Sequence, residues 1–173
     1  MFCGKTEELI RRLRRVTFAK QGVLLVKPAI DNRYSEDEVA SHAGARMTAH
    51  PIKDGDPGRI LDLWEEFDRP PNVGIDEGQF FSDLVPVLEH LIAAGCRVIV
   101  AGLDLDYRGR SFLDPEILSL AEDVTKLTAV CMKCGRPATK TQRLTGGTSQ
   151  VEVGAVGQYE ARCRFHWTAG PTG

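Results

Sequence analysis

Leu9, Ile10, Leu13 and Val16 recur three and four residues apart through an arginine-rich stretch. That spacing gathers apolar side chains on one side of a helix, so residues 5–17 read as an amphipathic α-helix. The next apolar segment has a different period. Gly22 to Lys27 is short, almost continuously apolar and followed by Pro28, the pattern of a strand buried on both faces. Residues 31–57 are polar and turn-rich. Ile60, Leu61, Leu63, Trp64 and Phe67 then restore a helical period, Asn72 to Asp76 reads as a strand, Leu84 to Ile92 as a helix over 84–93, and Cys96 to Ala101 as another apolar strand. Short apolar strands alternating with amphipathic helices predict a parallel sheet with helices on its faces, where ligands sit at the carboxyl ends of the strands. From Val124 the character changes to a Gly/Thr-rich region with a short Val151-Glu152-Val153 strand, which places a domain boundary near 123 and divides the chain into 1–123 and 124–173.

Composition narrows the class of ligand. The 173 residues are enough for one substantial core and a small appended module. Charged residues make up 27% but nearly cancel, leaving a formal net charge of -2, which argues against a nucleic-acid or anionic-membrane partner. No apolar run has the length of a membrane span, and the N-terminus lacks the layout of a signal peptide. The five cysteines are odd in number and unevenly spread, which favours a reducing compartment and a cytoplasmic location.

Three groups of residues carry chemistry. Gly4-Lys5-Thr6 before a helix matches the back half of the phosphate-binding P-loop, in which backbone N–H groups and a lysine hold phosphate while the threonine hydroxyl ligates Mg²⁺. The first glycine of that motif would fall before Met1, and so would the strand that feeds the loop. Asp76-Glu77 closes an apolar strand ahead of Gly78-Gln79-Phe80-Phe81, and an acidic pair there can serve Mg²⁺ and accept a proton from an attacking hydroxyl. Cys131-x-x-Cys134 and Cys163-x-x-His166 are two ligand pairs with the spacing of a zinc ribbon. Four protein ligands leave no open position, so the metal is expected to be structural. Cys96 reads as a small buried hydrophobe, and His42, His50 and His90 as surface or helix-packing residues. The fold class is therefore α/β, a P-loop NTPase-like parallel sheet with helices on both faces, plus a small zinc-ribbon-like C-terminal domain.

Taken in order, these segments resemble the zinc-containing thymidine kinases of bacteria and animal cytosol. The resemblance lies in Met1 to Leu9, Asp31-Asn32-Arg33-Tyr34, Asp76 to Phe81, Gly102 to Arg108, Lys126 to Cys131, Thr141 to Leu144 and Tyr159 to Arg164, and it runs to about Trp167. It implies an enzyme that transfers the γ-phosphate of ATP to the 5′-hydroxyl of thymidine. Glu77 would be the general base. Gly4, Lys5, Thr6, Asp76, Glu77, Gly78 and Gln79 would bind ATP, and Thr6 with Asp31 would position Mg²⁺. Met1, Phe80, Leu103, Tyr107 and Phe112, with Thr141, Val151, Val153 and Tyr159, would enclose thymidine, and Cys131, Cys134, Cys163 and His166 would bind Zn²⁺. The resemblance also implies a homotetramer. Tyr107 stands where the family more usually has phenylalanine, and His166 where many relatives have cysteine.

Two other readings compete with an active kinase. One is a truncated, catalytically inactive zinc-binding protein that acts as a binding or assembly partner; the other is a different P-loop phosphotransferase with a zinc ribbon. The strand that leads into a P-loop is normally central, so protein made from Met1 is expected to be insoluble or inactive. Adding about ten residues ending in Gly-Pro is expected to restore both properties.

Overall fold

A computed structural model describes residues 2–29, 38–40, 45–145 and 158–169. Met1, Asp31, His42, Val151 and Val153, and with them the short Val151-Glu152-Val153 strand, lie outside the described residues. The chain divides into two compact units, Lys5–Gly102 and Leu103–Gly173 with Met1–Gly4.

The first unit opens with helix α1 (Lys5–Phe18) and strand β1 (Val23–Pro28). A short antiparallel pair follows, β2 (Glu38–Ala40) with β3 (Arg46–Thr48), and then β4 (His50–Ile52). Helix α2 (Gly58–Glu66), strand β5 (Asn72–Ile75), helix α3 (Val85–Ala93) and strand β6 (Arg97–Val100) complete it. The four strands β4-β1-β5-β6 form one sheet, parallel throughout. α1 buries Leu9, Ile10 and Leu13 against the face that carries Leu25. It sits so close to the sheet that a Cβ on Gly74 would lie 2.6 Å from Leu13 Cδ1. Leu24, Val26, Val73 and Ile75 alternate onto the opposite face and are equally buried. Helices thus flank a parallel sheet, as the alternation of periods predicts.

The described part of the polar stretch 31–57, residues 38–40 and 45–57, holds more order than its composition suggests. β2, β3 and β4 are three residues each, too short to show a period, and Pro51 lies inside β4. β4 is an edge strand of its sheet, where a residue without an N–H is tolerated. Gly78–Phe80 is a single 3-10 turn, and the α-helix begins only at Val85.

The second unit contains a tight turn closed by the Leu105–Ser111 bridge, helix α4 (Pro115–Leu120), and strands β7 (Ala129–Val130), β8 (Pro137–Ala138), β9 (Lys140–Arg143) and β10 (Tyr159–Arg162). α4 starts where the Asp114 carboxylate accepts the Glu116 N–H at 2.9 Å, a side-chain cap on an otherwise unsatisfied donor. β7 pairs with β8 and β9 with β10, both antiparallel. Among the described residues one apolar cluster there gathers Ala129, Cys131, Ala138, Ala161 and Cys163, with Cys3 packed against it; Tyr107, Leu113, Ile117 and Tyr159 are buried as well.

Candidate functional site

The acidic turn beyond β5 is held across the top of the sheet. The Asp76 N–H donates to Val26 O at 2.9 Å and the Gly78 N–H to Ala101 O at 2.9 Å, so the turn extends the ladders on both sides. Gly4, at φ 78, leads directly into α1, and the first two residues of that helix face the turn. Thr6 Oγ1 donates to Asp76 Oδ2 at 3.0 Å, and Lys5 Nζ lies 3.4 Å from Glu77 Oε1. Gln79 Nε2 donates to the other oxygen, Glu77 Oε2, at 2.5 Å. Both carboxylate oxygens of Glu77 are thereby engaged.

Three polar side chains here are almost wholly buried, Asp76 at 3%, Glu77 at 7% and Gln79 at 9% exposure. Burial, with the adjacent Glu77 charge adding to it, pushes the Asp76 carboxyl up to about 6 against the opposing pull of Lys5 and Thr6. Glu77 also has φ 50 and ψ 44, the left-handed region that favours glycine. A buried carboxylate on strained backbone is kept only where surrounding structure over-determines it, and such strain gathers at working sites.

In the second unit the Leu105–Ser111 turn presents Tyr107. The Asp106 carboxylate accepts the N–H groups of Arg108 and Arg110, both at 2.9 Å, and Gly109 takes φ 77 against the Trp167 ring. Leu103 and Phe112 are half-buried at the base of the turn, where the Leu113 N–H reaches Leu103 O. Tyr107 and Tyr159 lie with ring centroids 6.4 Å apart. Thr141 is buried on β9, and its carbonyl accepts the Trp167 indole N–H at 3.0 Å.

The same unit gathers Cys131, Cys134, Cys163 and His166, whose candidate ligand atoms all lie within 4.8 Å of one another. The β7–β8 hairpin supplies the first pair through a turn in which the Gly135 N–H donates to Cys131 O. The second pair follows β10, where the His166 N–H donates to Cys163 O. Cys134 Sγ is 3.8 Å from Cys163 Sγ, and His166 Nδ1 is 3.9 Å from Cys131 Sγ and 3.3 Å from Cys163 Sγ. A tetrahedral ion with metal–sulfur bonds of about 2.3 Å has sulfur–sulfur edges of about 3.8 Å, close to the Cys134–Cys163 separation, so the donor set fits such an ion. Burial raises the Cys131 thiol, but N–H groups of Cys163, Lys133 and Cys134 outweigh it and bring it down to about 5. A thiolate is the form that binds metal.

Comparison with known proteins agrees with this chemistry. The family model for thymidine kinase matches residues 1–167. The thymidine kinase of Coprothermobacter proteolyticus is 49% identical over 174 residues, covering 96% of this chain and 85% of that protein. The thymidine kinase of Bdellovibrio bacteriovorus is 49% identical over 172 residues, covering 96% of this chain and 81% of that protein. This chain belongs to the thymidine kinase family.

The candidate positions of this thymidine kinase are placed as follows. Lys5, Thr6, Asp76, Glu77, Gly78 and Gln79 come together around one turn, and Phe80 ends the 3-10 turn beside them, half-buried. The four metal-ligand candidates also converge. Met1, Asp31, Val151 and Val153 lie outside the described residues. Cys96 is buried, and its thiol donates to Pro70 O at 3.7 Å; His50 packs on Phe67, and His90 stands edge-on to Trp64. Sequence reasoning assigned no role to Arg143, Asp106 or Trp167, all of which touch Tyr107 or its turn. None of the three has a spacing signal that could have revealed it.

Proposed function

We propose that Glu77 is the general base by which this thymidine kinase moves the γ-phosphate of ATP to the 5′-hydroxyl of thymidine. One observation carries the assignment: a buried carboxylate at the carboxyl end of β5 with one oxygen on Lys5 and the other on Gln79. Lys5 is the residue of the half P-loop suited to phosphate, as a cation at the start of a helix. With Lys5 turned to a triphosphate and Gln79 still holding Oε2, Glu77 would take the hydroxyl proton. Thr6 and Asp31 are assigned to Mg²⁺, which on ATP would neutralise charge on the phosphate oxygens; Gly4, Asp76 and Gly78 complete the nucleotide-binding set.

Thymidine is neutral, and aromatic faces with a few hydrogen-bonding groups suit it. Among the described residues of the second unit we assign Leu103, Tyr107, Phe112, Thr141 and Tyr159 to its recognition. We assign Zn²⁺ to the Cys131, Cys134, Cys163 and His166 cluster on the fit of its donors, in a structural role because all four positions are protein ligands. Homotetramer formation and a cytoplasmic location are part of the same proposal. Among the described residues no helix is long and apolar enough to cross a membrane.

An inactive binding protein is not favoured, because the Lys5, Thr6, Asp76, Glu77 and Gln79 constellation is intact in a chain that is 49% identical to thymidine kinases over nearly its whole length. The test is ATP-dependent phosphorylation of thymidine by purified protein, wild type beside Glu77→Gln. Turnover in the wild type that Glu77→Gln leaves unchanged would remove Glu77 from the mechanism.

A further inference from the structure

Arg143 is a buried cation, 8% exposed, at the end of β9. Its Cζ lies 4.9 Å from the Tyr107 ring centroid and 5.8 Å from that of Tyr159. It is the cross-strand partner of Tyr159 in the β9–β10 pair, and its Nε donates to Thr145 O at 3.1 Å. We propose that Arg143 is the positioning residue that holds Tyr107 and Tyr159 as one aromatic wall for the nucleoside. The inference rests on the assignment of those two tyrosines to thymidine recognition.

The physical reasons are specific to arginine. Both rings lie within the roughly 6 Å at which a cation is attracted by the aromatic quadrupole, and desolvation strengthens that attraction. A planar guanidinium can stack on ring faces while its edge donates hydrogen bonds; a lysine ammonium is a point charge with no plane to offer. Tyr107 lies on a turn and Tyr159 on a strand, and the contact with Arg143 ties the two elements together at the rings themselves. Tyr107 is only 5% exposed and carries a second guanidinium, Arg108, at 5.2 Å, whose Nε donates to the tyrosine hydroxyl at 3.0 Å. Two guanidinium groups thus lie against this ring. Buried charges often add no stability over an apolar side chain of similar volume, and in some proteins they serve to fix a unique arrangement instead.

Arg143→Lys and Arg143→Met in the full chain separate this role from a structural one. Both variants are expected to raise the KM for thymidine about tenfold or more, a loss of roughly 1.4 kcal/mol. KM for ATP and kcat should stay within about threefold of wild type. Bound metal should be unchanged, and the unfolding midpoint of Arg143→Met should be equal to or above that of wild type. In a Tyr107→Leu background the effect of Arg143→Lys should shrink to less than about threefold, because a residue acting through the ring has nothing left to position.

Wild-type thymidine KM in Arg143→Lys overturns the proposal, as does an equal rise in both substrates' KM values. Loss of metal or of cooperative unfolding in both variants also overturns it, since Arg143 would then be a stability residue. If Tyr107→Ala and Tyr159→Ala leave thymidine KM unchanged, the assignment of the tyrosines fails instead, and that result is distinguishable from failure at Arg143 alone.

Discussion

At the scale of single residues the acidic turn sets two carboxylates in different surroundings. Glu77 is held by a cation and an amide, and Glu77→Gln removes the proposed base while leaving the shape. Its expected effect is a fall in kcat of about 10²- to 10⁴-fold with ATP affinity nearly intact, read by steady-state kinetics beside nucleotide binding. Asp76 is the costly partner. Its folded carboxyl titrates near 6, above the ordinary carboxylate range, so the folded state holds the proton more tightly than the unfolded one. That contribution to stability is fully present below about pH 4 and is lost as pH rises through about 6. Asp76→Asn can keep both the Glu77 N–H and the Thr6 hydroxyl as partners. In ligand-free protein it should raise stability at pH 7.5 by about 1 to 3 kcal/mol and flatten the dependence between pH 4 and 7. Denaturant unfolding of the two proteins across that range checks it, and a variant less stable at pH 7.5 would contradict the account.

At the scale of elements, Lys5 meets Glu77 because α1 lies close on the sheet. Gly74 in β5 permits that approach, and a side chain there would push on Leu13 and Leu25, both closed in by the core. Gly74→Ala should therefore destabilise by about 1 to 3 kcal/mol through overpacking, and Gly74→Val by more. Because α1 carries Lys5 and Thr6, the same substitutions should weaken ATP binding, while Gly95→Ala offers a comparison. Gly95 has φ 83 with open space around it, so its cost is backbone strain without displacement of α1. Equal ATP affinity in Gly74→Ala and wild type would show that the helix position does not depend on this close contact.

For the molecule as a whole, the two units differ in what holds them. Lys5–Gly102 has a sheet covered by helices and long apolar side chains buried to completion, whereas the unit beginning at Leu103 has the alanine and cysteine cluster around four metal-ligand candidates. Side chains that small bury little apolar surface around the cluster, where bound metal would add folding energy. Purified protein should carry one Zn²⁺ per chain by elemental analysis. Chelation, or Cys134→Ser, should raise the thymidine KM at least tenfold while ATP binding changes little. Normal thymidine affinity in metal-free protein would make the cluster dispensable for recognition.

The sequence determined what depends on neighbours along the chain. The 3.6 and continuous apolar periods located α1, α2, α3, β1, β5 and β6, because each buries a face whose spacing is local. The two ligand pairs could be read as a metal site because turns of that length bring their own side chains together, and Gly4-Lys5-Thr6 because a helix N-terminus follows directly. Only the tertiary structure placed β4 beside β1, since three residues with a proline carry no period. It alone showed Lys5 and Gln79 on the two oxygens of Glu77, and Arg143 against Tyr107 and Tyr159. Those arrangements join residues distant in sequence, and the sheet register and the packing of α1 decide which of them meet, a matter no local pattern encodes.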